Sequence, residues 1–225
     1  MYAKPEPTQV DKTQEKKRER PQKRAYPSAQ FVKLSSKYVK QVWQWRNQDD
    51  IRKNMHNTAP IEWNTHLKWF EDLQASQKRD KEKAQEFFVF LQNERPIGVL
   101  NFKPCPIQES NSKTHEPIRA ALEWGCYIGE QDAWPGSGLL LEVAALDYAS
   151  TQAKVAQLYA EVLDFNQSVL KMHKLFGYKT LEDDSQRPQV KRFVYDTDEW
   201  RTNRTAILAR LPKQIAKASE LIRFA

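Results

Sequence analysis

Two glycines at the start of a predicted helix could bind a negatively charged group. Gly136 and Gly138 lie between an apolar segment, residues 122–128, and an amphipathic one, residues 139–148. A helix leaves the N–H groups of its first turn unpaired and carries a partial positive charge there. Glycines let a phosphate approach that backbone closely. We therefore expect an anion site made of backbone amides, those of Gly136, Ser137, Gly138, Leu139 and Leu140.

The segment after this turn predicts a strand, an asparagine and a second helix. Residues 158–163 alternate in polarity and are rich in strand formers. Apolar side chains recur at helical spacing over residues 166–176, and Gly177 favours the end of that helix. This order resembles the GCN5-related N-acetyltransferase (GNAT) superfamily. The resemblance implies that the glycine turn holds the pyrophosphate of acetyl-coenzyme A (acetyl-CoA) and that Asn166 contacts its pantetheine arm.

The elements that must position these residues predict an α/β fold of the GNAT type. We expect a mixed central sheet of about seven strands, flanked by about four helices. Helices are predicted over residues 38–52, 61–73, 139–151 and 166–176, and strands over residues 31–34, 87–91, 97–102, 122–128, 158–163, 190–195 and 204–211. A turn joins the second and third strands at residues 93–96, and a long polar loop covers residues 104–117. We expect residues 31–211 to form the GNAT domain, residues 1–30 a disordered basic tail and residues 212–225 a C-terminal extension.

The positive charge of the chain is concentrated in that tail. The net charge is +7, of which residues 1–30 contribute +4. The basic cluster at residues 16–20 could touch RNA or an anionic membrane, but a solvated tail is the favoured interpretation, and nucleic acid is not an expected partner. No apolar run is long enough to span a membrane, so we expect a cytoplasmic protein. The two cysteines and four histidines lack metal-ligand spacing, and no metal is expected. A homodimer remains open.

A narrower resemblance, to one group of GNAT enzymes, suggests which molecule accepts the acetyl group. Residues 45–55 and 61–70, with residues 96–102 and 123–129, resemble PseH-type enzymes, GNATs that acetylate the 4-amino group of a UDP-linked amino-sugar in pseudaminic acid synthesis. The resemblance implies acceptor-binding roles for five residues: Arg46, Met55, His66, Lys103 and Trp124. The first alternative is a RimJ/RimL-type enzyme, which acetylates protein N-termini or ribosomal proteins. Such enzymes share a Trp-Arg-Asn-like sequence in this first region. A catalytically silent GNAT fold that binds acyl-CoA or RNA is the second.

Acetyl transfer to an amine requires a base that takes the amine proton. Glu123 and Glu161 lie on the two strands that separate around acetyl-CoA in this superfamily. The parity of each strand decides which carboxylate points into the cleft, and the sequence leaves that open. We rank Glu161 first, because PseH-like enzymes carry an acid proposed as the base at that position.

The transfer also requires a donor to the thioester oxygen and an acid for the departing thiolate. A backbone N–H near Tyr127 or Ile128 is the expected donor. His173 stands seven residues after Asn166, where the common GNAT pattern has a tyrosine acid, and it can serve only if the imidazole is protonated. The glycine turn also departs from the family pattern, because Ala133 replaces the usual arginine or glutamine. Backbone amides can still bind the pyrophosphate. Lys171 or Lys174 could add positive charge, although solvated surface lysines are the favoured interpretation.

Overall fold

The computed structural model describes residues 26–81, 83–106, 121–182 and 186–225. Its α/β architecture agrees with the prediction and consists of a mixed sheet with helices on both faces. The sheet has eight strands in the order β6-β7-β5-β4-β3-β2-β1-β8. The strands are β1 (Ala29–Lys33), β2 (Glu86–Gln92), β3 (Arg95–Cys105), β4 (Ala121–Ile128), β5 (Gln157–Leu163), β6 (Lys179–Thr180), β7 (Val190–Asp196) and β8 (Ile222–Phe224).

The helices divide between the two faces of the sheet. They are α1 (Ser36–Arg46), α2 (Asp49–Arg52), α3 (Trp63–Arg79), α4 (Ser137–Asp147), which continues into a π-helical turn (Tyr148–Gln152), α5 (Gln167–Phe176), α6 (Thr197–Leu208) and α7 (Lys213–Ser219). A small cluster that includes Val42 and Trp45 of α1 packs against one face. The main core, with α4 at its centre, lies on the other.

Helix α4 is mostly apolar and buried on all sides, and it lies in the main core. Residues 140–146 are all buried. A helix with no polar face is stable only when neighbours surround it. The helix is therefore a fixed element packed against β4 in the middle of the sheet.

Two parts of the C-terminal region differ from the sequence-based prediction. Residues 204–211 were expected to form a strand, but most of them belong to helix α6. The Asp196 carboxylate caps this helix by accepting from the Asp198 N–H at 2.8 Å, and Trp200, Ile207 and Leu208 are buried on its inner face. Burial at helical spacing thus outweighs the local strand propensity of this segment.

Residues 212–225 contribute to the sheet, whereas the sequence suggested an appended extension. Strand β8 pairs in parallel with β1, from Ala29 opposite Ile222 to Phe31 opposite Phe224. Helix α7 buries Ile215 in the main core. At the other end, strand β1 includes residues 29 and 30, which were assigned to the tail. Residues 1–25, and most of the loop expected at residues 104–117, lie outside the described residues.

Candidate active site

Strands β4 and β5 separate and leave a gap in the middle of the sheet. They pair in parallel from Ala121 opposite Gln157 to Trp124 opposite Ala160, and the pairing stops there although both strands continue. A cleft of about 880 Å³ occupies this gap and reaches the helices on both faces. An extended ligand can therefore lie against β4 in place of a neighbouring strand.

The backbone of β4 directs two amides into this gap. The Gly129 N–H donates to the Ile97 carbonyl of β3 at 2.8 Å. Because N–H groups alternate between the two sides of a strand, the amides of Ile128 and Cys126 point away from β3 and towards the gap. Of the two residues predicted to supply a donor, Ile128 therefore has the suitable orientation, and the Tyr127 amide faces β3.

The glycine turn before α4 has two backbone amides that no other group in the described chain uses. The Ser137 N–H donates to Trp134 at 3.0 Å, and the Leu140 N–H donates to Gly136 at 3.1 Å. The amides of Gly138 and Leu139 remain in the first turn, and Gly138 lines the cleft. Of the five amides predicted to form the anion site, two are thus available. Two available amides at a helix N-terminus fit a pyrophosphate.

Gly136 and Ser137 shape this turn. Gly136 has φ +104°, a conformation that favours glycine. The Ser137 hydroxyl is buried, accepts from the Gln92 side chain at 2.8 Å and donates to the Trp134 carbonyl at 2.6 Å. Both residues therefore hold the backbone in place for the amides that follow.

Asn166 lies at the N-terminus of α5 and lines the cleft opposite β4. Its side-chain oxygen accepts from the Ser168 hydroxyl at 3.0 Å and from the Val169 N–H at 3.5 Å. This capping contact fixes the side chain. The amide nitrogen has no partner among the described residues, so it is available to a ligand in the gap.

Both candidate bases lie on one face of the sheet, and His173 lies on the other. Glu123 of β4 stands opposite Tyr159 of β5, so Glu123 and Glu161 share the face covered by α1–α3. Trp124 and Ala160 point to the opposite face, where α4 and α5 pack. A base and an acid can therefore approach the gap from opposite sides.

The Glu161 carboxylate is engaged by cationic side chains. Its two oxygens accept from the Arg187 guanidinium at 2.8 and 2.9 Å, Arg192 lies at 3.4 Å, and His56 Nε2 lies at 3.3 Å. Both oxygens of this carboxylate are thus already engaged by charge-assisted contacts. Glu123 also lines the cleft and has neither an ion pair nor a hydrogen bond among the described residues. Its charge contributes, after burial, to a rise in the pKa of Cys105 to about 11.

Arg46 lies in the cleft with part of its guanidinium unpaired. Its Nη2 donates to the Asn57 carbonyl at 2.8 Å, whereas Nη1 is buried and has no partner among the described residues. Burial lowers the pKa of Arg46, and the neighbouring Arg52 adds to this. A half-buried guanidinium with one buried, unpaired nitrogen can bind an anionic group of a ligand.

The other predicted acceptor residues also line this cleft. His66 is buried between the rings of Trp63 and Trp69, and its Nε2 lies 3.1 Å from the Val39 carbonyl. Burial lowers the pKa of His66. Met55 packs against the small cluster that includes Val42 and Trp45. Lys103 is exposed, and Trp124 is buried.

His173 is buried on α5 and contacts a carboxylate that the sequence analysis did not consider. Its Nδ1 lies 3.2 Å from an oxygen of Glu142 on α4. Its ring stacks on Tyr178 at 4.5 Å and lies 5.9 Å from the Trp124 ring. An acidic residue within the apolar run at residues 139–146 was the signal for this contact, because every side of such a helix is buried.

Neither a metal centre nor a membrane-spanning helix is found in the described part of the chain. No group of three or more His, Cys, Asp or Glu side chains in residues 26–81, 83–106, 121–182 and 186–225 could hold a metal ion. None of the helices in those ranges is long and apolar enough to cross a bilayer.

Comparison with known proteins identifies the family. The model of the acetyltransferase (GNAT) domain matches residues 30–179. The chain belongs to the GNAT acetyltransferase family. This match confirms the superfamily prediction, and the protein is an N-acetyltransferase. GNAT enzymes use acetyl-CoA as the acetyl donor.

Relatives of this GNAT enzyme include PseH acetyltransferases. The acetyltransferase PseH of Campylobacter jejuni strain 81-176 is 26% identical over 154 residues, which cover 68% of this chain and 85% of the relative. Among solved structures, apo FdhC, described as a nucleotide-linked sugar GNAT, has a TM-score of 0.61 at 12% identity and covers 80% of this chain and 92% of its own. C. jejuni PseH in complex with acetyl-CoA has a TM-score of 0.50 at 19% identity, with 75% and 98% covered. The two structures support the fold alone.

Proposed function

We propose that this enzyme transfers an acetyl group from acetyl-CoA to the 4-amino group of a UDP-linked amino-sugar, in a pathway of the pseudaminic acid type. The unpaired, buried Nη1 of Arg46 carries this proposal. It lies on the acceptor face of the gap, where the α1–α3 helices cover the cleft, and a sugar nucleotide would bring a diphosphate to it. A protein N-terminus has a cationic amine and no obligatory anion. Because both substrates are intracellular metabolites, we propose that the enzyme acts in the cytoplasm.

Acetyl-CoA fits the opposite end of the same cleft. The Gly138 and Leu139 amides would hold the pyrophosphate, and the Asn166 side chain and the gap-facing amides of β4 would hold the pantetheine arm. The Cys126 or Ile128 amide would donate to the thioester oxygen and stabilise the negative charge that develops there. The free residues of this region thus match the parts of acetyl-CoA in order.

The reaction proceeds by direct attack in a ternary complex. Glu123, directly or through a water molecule, takes the proton of the attacking amine, because none of the described residues engages its carboxylate whereas that of Glu161 is held by Arg187. Glu161 instead fixes the cationic side chains at the acceptor end of the cleft. The amine nitrogen forms a bond to the thioester carbon, the carbon–sulfur bond breaks, and His173 protonates the departing thiolate.

A thiol-release assay with a panel of acceptors tests this function. UDP-linked 4-amino-sugars should release coenzyme A, whereas the same sugars already acetylated at the 4-amino group should not. Peptides that begin with the N-termini of ribosomal proteins form the competing arm. Thiol release with peptides and none with the sugar nucleotides would overturn the acceptor assignment in favour of a RimJ/RimL-type enzyme. Release with neither class, while acetyl-CoA still binds, would favour the silent GNAT alternative.

A further inference from the structure

Glu142 is a carboxylic acid buried completely inside the protein. It has no exposed surface, and neither of its oxygens makes a hydrogen bond within the described residues. A carboxylate in such a place is costly unless a positive group balances it. Its sole ion-pair contact in the described ranges is with Nδ1 of His173, at 3.2 Å, and this nitrogen is likewise buried without a hydrogen bond to those residues.

The other groups around Glu142 cannot balance its charge. Cys126 of β4 is a half-buried neighbour, and burial together with Glu142 raises the pKa of that thiol to about 12. Burial first, and then Glu142, raise the pKa of Tyr178 well above its usual range, and Glu142 also contributes to the raised pKa of Tyr195 on β7. The indole of Trp124 is neutral. These neighbours remain uncharged near neutral pH, which leaves His173 as the one group near Glu142, among the described residues, that is able to become cationic.

We infer that Glu142 is a positioning residue that keeps His173 doubly protonated and oriented as the proton donor to the coenzyme A thiolate. A carboxylate at one ring nitrogen favours the imidazolium over the neutral imidazole and fixes a proton on that nitrogen. Because Nδ1 lies 3.2 Å from Glu142, the second ring nitrogen is left for the cleft that His173 lines. The inference rests on the proposed acid role of His173 and gives the reason why a histidine can replace the tyrosine of the common GNAT pattern.

The proton transfers balance in this arrangement. As the carbon–sulfur bond of the thioester breaks, the sulfur receives the proton from Nε2 of His173, and the ring becomes neutral with its Nδ1 proton still directed at Glu142. The amine proton leaves through Glu123 on the other face. A proton from solvent restores the imidazolium once coenzyme A leaves the cleft.

Nitrogen-15 NMR of the histidine side chains tests the inference without any acceptor substrate. In the wild-type protein at neutral pH, we expect the shifts of both His173 nitrogens to be those of a doubly protonated ring. In Glu142→Gln, we expect the shifts of a neutral imidazole. Asp147→Asn is the matched control, because Asp147 lies on the same helix and pairs with Arg204 at 2.7 Å, and it should leave the His173 signals unchanged. A neutral His173 in the wild type would overturn the inference even if Glu142→Gln failed to fold.

Kinetics of the same variants provide a second readout. Glu142→Gln should lower kcat by about tenfold or more, with little change in the KM for acetyl-CoA, because it removes part of a general-acid contribution of about 10²–10⁴. In a His173→Tyr background the same change should cost less than about threefold, because a tyrosine donor holds its proton without the carboxylate. An equal loss in both backgrounds would indicate a packing role and overturn the inference. If the sugar nucleotides prove not to be acceptors, only the proposed function fails, because the NMR result depends on no acceptor.

Discussion

The two glycines of the turn before α4 should respond in opposite ways to the same substitution. An alanine Cβ at Gly136 would lie 2.1 Å from the Cδ1 atom of Ile215, at a φ of +104° that L-residues rarely adopt. At Gly138 the same Cβ would meet no atom within 4 Å. Gly136→Ala therefore perturbs folding, whereas Gly138→Ala places a methyl group in the open cleft.

The expected magnitudes follow from these positions. Left-handed backbone costs about 1–2 kcal/mol, and an overpacked methyl group about 1–3 kcal/mol, so Gly136→Ala should be destabilised by about 2–5 kcal/mol. For a domain of this size, that lowers Tm by about 4–20 °C. Gly138→Ala should keep its Tm or raise it slightly, because alanine is the better helix former. If the methyl group blocks one charge-assisted hydrogen bond to the pyrophosphate, the Kd for coenzyme A rises about 10- to 100-fold.

Thermal melts and calorimetric titrations separate the two effects. Acetyl-pantetheine, which lacks the pyrophosphate, is the control ligand and should bind Gly138→Ala and the wild type equally well. The reasoning is refuted if Gly138→Ala binds coenzyme A as tightly as the wild type does, or if it weakens both ligands alike.

Three further outcomes follow from the site. Glu123→Gln should reduce kcat by a factor of about 10²–10⁴ through loss of the base. Glu161→Gln, the control on the same face, should reduce kcat clearly less. Steady-state kinetics with the accepted sugar would show the reverse order if Glu161 is the base. Arg46→Met should raise the KM for the sugar nucleotide by about tenfold or more, since one charged hydrogen bond contributes about 1.5–3 kcal/mol, and it should leave the Kd for coenzyme A unchanged. An unchanged KM would contradict the proposed contact of Arg46 with the diphosphate. Burial lowers the pKa of His66 in the folded protein, so the unfolded state binds more protons at this residue. The contribution of His66 to the free energy of unfolding is therefore complete above about pH 6.5 and declines as the pH falls below that value. Melts of the wild type between neutral and acidic pH should show this decline, and His66→Gln should have a flatter profile.

The sequence predicted the fold well where local signals were strong. The helix that begins at Asn166 and ends before Gly177 carries its own start and stop signals, and the structure has it at the expected residues. Residues 204–211 gave the opposite result, because their helix depends on burial of Trp200 and on the Asp196 cap rather than on propensity.

The candidate site divides in the same way. The catalytic and acceptor-binding candidates line one cleft, together with Tyr127, Ile128, Gly138 and Asn166. What engages each side chain, however, depends on long-range contacts. Glu161 is bound by Arg187, from a segment far along the chain, and no spacing in the sequence indicates this pair. Glu142 was predictable in principle, since an acid inside an apolar helix must be buried, whereas its contact with His173 required the packing of α4 against α5.

The pairing of β8 with β1 links two segments separated by almost the whole described chain. During synthesis, the outer edge of β1 has no neighbour until residues 222–224 have left the ribosome. An unpaired edge that includes the buried Phe31 is a template for pairing with other chains. The nascent protein therefore has an open sheet edge at β1 from the time β1 pairs with β2 until residues 222–224 are available, and a chain shortened before those residues would keep that edge exposed.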